Sequence, residues 1–327
     1  MRIVFAGTPE PAVAALNALV QAGHNVVGVL TRTDAKVGRK RVLTPSPVAA
    51  RAEELGLPVI KADGFHTDDG EAAIEQLKAL QPDIGAVVAY GGLLPQHVLD
   101  MLPKGWVNLH FSLLPAYRGA APVQWAMINQ ETETGAAVFQ LESGLDTGPV
   151  FSTVSRPLAA DETAGEVLAD LAETGAELLA TTLSDIAAGS AEPTPQQGQV
   201  TWAPKLTSHQ AKIDPAQPAE AVRGLINGTS PAPGAWGPLT SGDGAPQRFK
   251  IGRARPVENQ PEHDLQPGQF ILEAKRVLLV CQDGVIELTD VQPAGKKMMR
   301  ATDWARGVDD PVRLQTSLTH PDEFQVN

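Results

Sequence analysis

The order of apolar runs and helix signals predicts a Rossmann-like α/β domain with a parallel sheet, followed by a small β-barrel of the oligonucleotide-binding kind. Three observations carry this. The chain opens with strand, helix and strand signals from Arg2 to Leu30. Ile84 to Tyr90 (IGAVVAY) is an unbroken apolar run, the pattern of a strand buried on both faces. Beyond residue 208 the apolar segments shorten and turns become frequent, as in barrels. The expected layout is a catalytic domain over 1–189, a Pro-, Gln- and Gly-rich linker over 190–207, and a barrel over 208–327.

Arg2 to Gly7 (RIVFAG) reads as the first strand. Thr8-Pro9-Glu10 follows as an N-cap, a first-turn proline and a first-turn acid, and Gly23 closes the helix. Asn25 to Leu30 is the second strand. Gly7 stands alone, so the spaced glycines of a dinucleotide-binding turn are missing and a nicotinamide cofactor is disfavoured. Thr31 to Pro47 lacks apolar periodicity and is long for a βα connection, usually about 2–6 residues. A helix from Ser46 to Leu55, a strand at Pro58 to Ile60 and a helix over 70–80 lead to the buried run. The strand ending in Asn108 and His110 comes next, then a helix over Ala121 to Gln130 and strands at Gly135 to Leu141 and Val150 to Val154. Thr163 with Glu166 is a capping box, and leucines at helical spacing continue to Gly189. Barrel strands are expected at Arg248 to Ile251, Gly268 to Leu272, Val277 to Cys281 and Val285 to Val291.

Composition narrows the class. A single cysteine, Cys281, excludes an internal disulfide framework and favours a reducing compartment. No apolar run nears the roughly 18 residues of a membrane span, and the start carries no secretory pattern, so a cytoplasmic protein is expected. The net charge of −12 argues against nucleic acid, yet its distribution is uneven. Glu142 to Glu192 holds ten acids against Arg156, whereas Arg32, Lys36, Arg39, Lys40, Arg41 and Arg51 face only Asp34. A local basic patch decides what docks.

The chemistry concentrates in Val107 to Gly119 (VNLHFSLLPAYRG). Asn108 and His110, two residues apart, leave one face of a strand at its carboxyl end, where open α/β sheets hold ligands. Asp146 sits between glycines in the loop after the next strand and could reach the same edge. Each has an ordinary structural explanation alone. Together, a carboxylate that fixes an imidazole tautomer and an asparagine amide beside it suit the stabilisation of a tetrahedral oxyanion. Ser112 lacks the G-x-S-x-G elbow of a hydrolase, and scattered histidines with one cysteine offer no ligand pair for a metal. A site with oxyanion donors and no nucleophile suits direct acyl or formyl transfer to an amine.

The run N-L-H-x-S-L-L-P-x-Y-R-G-A-A-P, followed by G-L-D-T-G, resembles the signature of the folate-dependent formyltransferases. IVFAGTPEPAVAAL, GHNVVGVLTRTD, TPSPV, VVAYGGLLP and QPAGKK extend the resemblance to about Gly307 and to the branch that formylates methionyl-tRNA. The resemblance implies 10-formyltetrahydrofolate as donor, methionyl-initiator-tRNA as acceptor, no metal and a monomeric enzyme. It places the catalytic asparagine, histidine and aspartate on Asn108, His110 and Asp146. It places folate contacts on Ser112, Leu113, Leu114 and Pro115, with Val88, Ala89, Tyr90, Gly91 and Leu93 lining the pterin pocket. Arg39, Lys40 and Arg41, with Lys296, Lys297 and Arg300, are the expected tRNA contacts. Phe111 stands where some relatives have glycine, and Arg39-Lys40-Arg41-Val42 where relatives can have R-G-K-K. The rival acceptors are a nucleotide-sugar amine, glycinamide ribonucleotide, or water in a formyl-folate hydrolase; none of these needs a basic loop or an appended barrel.

Overall fold

The structure is a computed structural model that describes all residues except 39, 66–67, 243, 309–311 and 316–327. It divides into two compact units, one of Met1–Pro122, Thr134–Arg156 and Leu168–Ala203, the other of Val123–Glu133, Pro157–Val167 and the residues from Pro204 onward.

The first unit is built on β1 (Arg2–Gly7), α1 (Glu10–Gln21), β2 (Asn25–Thr31), β3 (Ala35–Val37), β4 (Val42–Thr44), α2 (Pro47–Glu54), β5 (Val59–Lys61), α3 (Asp68–Leu80), β6 (Ile84–Val88), α4 (Gln96–Leu99) and β7 (Trp106–His110). After α5 (Pro122–Ile128) come β8 (Glu133–Gln140), β9 (Val150–Pro157) and α6 (Ala164–Ala188). Seven strands make one sheet in the order β5-β2-β1-β6-β7-β8-β9. The order reverses at β1, between β2 and β6, the kind of switch point at whose carboxyl ends open α/β sheets hold ligands. β1, β2, β5, β6 and β7 run parallel, but β8 runs antiparallel to β7. The sheet is therefore mixed at that side, and this turns the end of β7 and the start of β8 towards one edge.

Helices cover both faces because the central strands are apolar on both. Ile3, Val4, Phe5 and Ala6 are fully buried. Val4 and Ala6 pack with Ala73 and Leu77 of α3, Val98 and Leu99 of α4, and Trp106. On the opposite face α6 lies close, with Gly175 against Leu109 and Ala136. The capping box of α6 is formed: Glu166 Oε2 accepts from the Thr163 amide at 2.9 Å and from its hydroxyl at 2.9 Å. Ser46, where the sequence reading starts this helix, caps α2 by accepting from Ala49 N at 3.0 Å. Thr8 does not cap α1; its hydroxyl donates to the Tyr90 carbonyl at 2.7 Å, tying β1 to β6, and Pro9 holds the cap position instead.

Two stretches differ from the sequence reading. The basic loop folds into a separate two-stranded hairpin of β3 and β4, with strands too short to show periodicity. Residues 190–203, read as linker, are hydrogen-bonded into the first unit: Thr194 exchanges backbone bonds with Val150 at 2.8 Å each way, and Ala203 N donates to Arg118 O at 2.7 Å.

The second unit contains α7 (Ala219–Gly228), β10 (Ala235–Ser241), β11 (Gln247–Pro256), β12 (Phe270–Leu272), β13 (Val277–Val280), β14 (Val285–Gln292), β15 (Met299–Arg300), α8 (Ala301–Ala305) and β16 (Val312–Leu314). The strands run β12-β13-β14-β11-β10-β16, with β15 on β14. A bridge between Gln269 and Arg313 joins the two edges into a nearly closed barrel. Its core holds Phe249, Phe270 and Trp304, whose ring centroids lie 4.8–6.3 Å apart. Cys281 lies in that core; burial first, then the Asp283 charge, pushes its thiol up to about 12, so it stays an unreactive thiol. Among the described residues no helix is long and apolar enough to cross a membrane.

Candidate active site

The site is built at the carboxyl end of β7. In register, Asn108 lies beside Val87 of β6 and Phe139 of β8, and His110 beside Ala137. The chain then folds back tightly: Ser112 Oγ donates to Ala116 O at 2.6 Å, and Ala116 N donates to Leu113 O at 3.1 Å. This turn presents the Tyr117 carbonyl to His110 Nε2 at 2.9 Å. The buried imidazole also meets Phe139 edge-on, with 6.3 Å between centroids. Its other nitrogen, Nδ1, lies 3.8 Å from Asp146 Oδ2.

That geometry fixes the roles of the two nitrogens. A carbonyl only accepts, so Nε2 carries a proton. Nδ1 is the nitrogen left for chemistry, as base when bare and as donor when protonated. At 3.8 Å the carboxylate faces Nδ1 but is beyond a direct hydrogen bond. Through the same oxygen, Oδ2, Asp146 accepts from Gly119 N at 2.8 Å. It is buried and sits at φ 51°, a left-handed conformation that aspartate tolerates better than most residues. Gly119 is required where it is: its φ is 127°, and a Cβ there would lie 2.5 Å from the Ala203 carbonyl.

Asn108 is half-buried, and its Oδ1 has no hydrogen-bond partner among the described residues. Buried polar atoms are seldom left so, which makes this oxygen a candidate substrate contact.

The structure thus brings Asn108, His110 and Asp146 together. The expected folate residues divide. Ser112 is buried with its hydroxyl committed to Ala116, which removes it as a nucleophile. Val88 is buried in the sheet, and Tyr90 packs into the core with its hydroxyl on the Ala62 carbonyl at 2.6 Å. Burial pushes the Tyr90 phenol up to about 12. Ala89, at φ 48°, and Gly91, at φ 78°, are exposed, as is Leu93. Leu113 and Leu114 are half-buried and Pro115 is buried. Phe111 is buried.

The 89–93 loop is anchored by a cluster the sequence reading missed. Arg32 donates through Nε to Asp63 at 2.6 Å and through a second nitrogen to the Gly91 carbonyl. Thr33 donates to Asp63 through its amide and hydroxyl. These bonds, the Thr33 hydroxyl foremost and then Arg32, hold the Asp63 carboxyl down at about 2, against its ordinary 3.8. A lowered folded-state value stabilises the fold above about pH 4, and this contribution disappears as the pH falls from about 4 to 2. Because the Asp63 side chain is half exposed, the effect should not exceed about 1 kcal/mol. Asp63→Asn should flatten that part of an acid-unfolding profile and leave stability at pH 2 unchanged.

Of the expected tRNA contacts, Lys40 and Arg41 are exposed on the turn of the β3–β4 hairpin, and Arg39 lies outside the described residues. Lys296, Lys297 and Arg300 are exposed in the second unit, around the turn from β14 into β15.

The sequence matches the formyl transferase family over residues 1–183 and the formyl transferase C-terminal domain over residues 205–309. A methionyl-tRNA formyltransferase of Paenarthrobacter aurescens is 52% identical over 315 residues, covering 96% of this chain and 99% of that protein. The chain belongs to the methionyl-tRNA formyltransferase family. The Corynebacterium diphtheriae member is 47% identical, over 97% of this formyltransferase and 100% of its own length. Among solved structures, a sugar 3N-formyltransferase, WlaRD, superposes with a TM-score of 0.64 at 15% identity, covering 91% of this chain and 99% of that one. HypX from Aquifex aeolicus gives 0.63 at 18% identity, covering 95% of this chain and 48% of its own. These two share the fold of the formyltransferase; its acceptor is a matter for the more similar sequences.

Proposed function

We propose that this chain transfers the formyl group of 10-formyltetrahydrofolate to the α-amine of methionyl-initiator-tRNA, giving N-formylmethionyl-tRNA for translation initiation. The carrying observation is the convergence of Asn108, His110 and Asp146 on one strand end, in a chain so similar along its length to methionyl-tRNA formyltransferases. All three groups come from one copy, and we read the enzyme as a cytoplasmic monomer.

The neutral amine attacks the formyl carbon, forming the new C–N bond as the carbonyl oxygen becomes anionic. The Asn108 carboxamide and the Nδ1–H of His110 donate to that oxygen. Asp146 lies beside Nδ1, so a proton leaving the attacking nitrogen can pass through this pair to the departing folate nitrogen. The C–N bond to folate then breaks, and tetrahydrofolate leaves with that proton. Folate is read as lying along the 89–93 and 111–115 loops. Ala89, Gly91 and Leu93 contribute exposed surface, and Val88 and Tyr90 act through their main chain.

The test is formyl transfer from 10-formyltetrahydrofolate to charged initiator tRNA, measured against glycinamide ribonucleotide and a nucleotide-sugar amine. Formylated methionyl-tRNA is expected; faster transfer to either small amine would overturn the acceptor. The hairpin makes a separate prediction. Each phosphate contact contributes about 0.9 to the slope of log affinity against log salt. Arg39→Ala/Arg41→Ala should therefore weaken tRNA binding and lower that slope by up to about 2, with folate affinity unchanged. Equal weakening towards both ligands would make the hairpin a structural element.

A further inference from the structure

The carboxamide of Gln196 joins the two loops that carry the site. Its Oε1 accepts from Arg118, at 2.6 Å from Nη2 and 3.3 Å from Nε. Its Nε2 donates to the Asp146 carbonyl at 2.8 Å and to the Gly148 carbonyl at 2.8 Å. Both N–H groups are thus used, and the partners fix which end is which: a guanidinium only donates and carbonyls only accept. On one side of this clasp is Arg118, between Tyr117, whose carbonyl holds His110 Nε2, and Gly119, whose amide holds the Asp146 carboxylate. On the other is the backbone of Asp146 itself, in its left-handed conformation. The segment carrying Gln196 is tied to the same loop further on. Thr201 accepts from Tyr117 N through its hydroxyl at 2.8 Å and from Arg118 N through its carbonyl at 2.9 Å.

We propose that Gln196 is a positioning residue for the transfer reaction, setting the separation of the Asp146 carboxylate and His110 Nδ1. It touches neither substrate nor reacting atoms. Without it, the Asp146 loop loses two backbone attachments, while the carboxylate still rests on the Gly119 amide. Misplacement of a catalytic group by about 1 Å costs on the order of 10²-fold in rate. The inference rests on the formyl-transfer reading above.

The experiment compares wild type, Gln196→Ala, and Gln196→Met, which keeps the packed stem while removing both hydrogen-bonding ends. Each is assayed with and without Asp146→Asn. In the wild-type background kcat should fall by about 10- to 10²-fold, with KM for folate and for charged tRNA nearly unchanged. Gln196→Glu should lose as much as alanine although its carboxylate suits Arg118, since it faces two carbonyls. In the Asp146→Asn background the loss should nearly vanish, because the group being positioned is already disabled. Equal fold losses in both backgrounds, a loss carried by KM, or near-normal kcat in both Gln196→Ala and Gln196→Met would each overturn the proposal. An active wild type with an unaffected Gln196→Met sinks the clasp alone; a wild type unable to formylate methionyl-tRNA removes both readings.

Discussion

His110→Ala should lower kcat/KM for formyl transfer by about 10²- to 10⁴-fold, the range for loss of a positioned acid–base group. The imidazole is buried, with one nitrogen given to Tyr117 and the other turned towards Asp146. Removing it takes away an oxyanion donor and the partner of Asp146 in the proton path together. It also removes the hydrogen bond from His110 Nε2 to the Tyr117 carbonyl, typically about 0.5–1.5 kcal/mol. Stability must therefore be measured beside activity. His110→Asn separates the two effects, since a carboxamide can hydrogen-bond in the pocket but cannot carry a proton. It should approach His110→Ala in activity whatever its melting temperature. Folate binding, read by equilibrium titration, should change little in either variant. Near-normal turnover in His110→Ala would remove the residue from the chemistry.

How far the site could be read from sequence depends on where each residue's partners lie. Asn108 and His110 were legible because a short apolar run announces its strand, and alternation puts both on one face. Asp146 was legible because flanking glycines marked a loop after a strand. Gln196 was not. It lies in a stretch without periodicity whose hydrogen bonds go to loops about 50 and 78 residues away in sequence, so nothing local distinguishes it from linker. The Arg32–Asp63 anchor was hidden for the same reason, its partners lying 31 positions apart. In the second unit α7 escaped notice because Gly224 and Gly228 weaken its helical signal. The glycines are there because the Met127 and Gln124 carbonyls approach to 3.0 and 2.9 Å of where a Cβ would stand. β10 was masked by Gly237 and Pro238; Gly237 makes room for the Leu314 side chain, 2.8 Å from a would-be Cβ. In each case a long-range packing demand selected a residue that breaks the local pattern.

Asn108→Ala should reduce turnover by about 10²- to 10³-fold, as loss of one oxyanion donor does elsewhere. Its effect on stability should be small or even favourable, because Oδ1 has no partner in the fold and alanine leaves nothing unpaired there. That contrast separates Asn108 from His110, whose removal breaks a buried hydrogen bond. Asn108→Asp discriminates further. If the carboxamide donates to the developing oxyanion, a carboxylate in its place faces like charge, and the variant should fall below Asn108→Ala. If instead its oxygen accepts from the attacking amine, aspartate keeps that acceptor and should outperform alanine. Single-turnover rates at saturating folate and tRNA decide between them, since the substitution acts on the chemical step. The proposed mechanism requires the order wild type, then alanine, then aspartate.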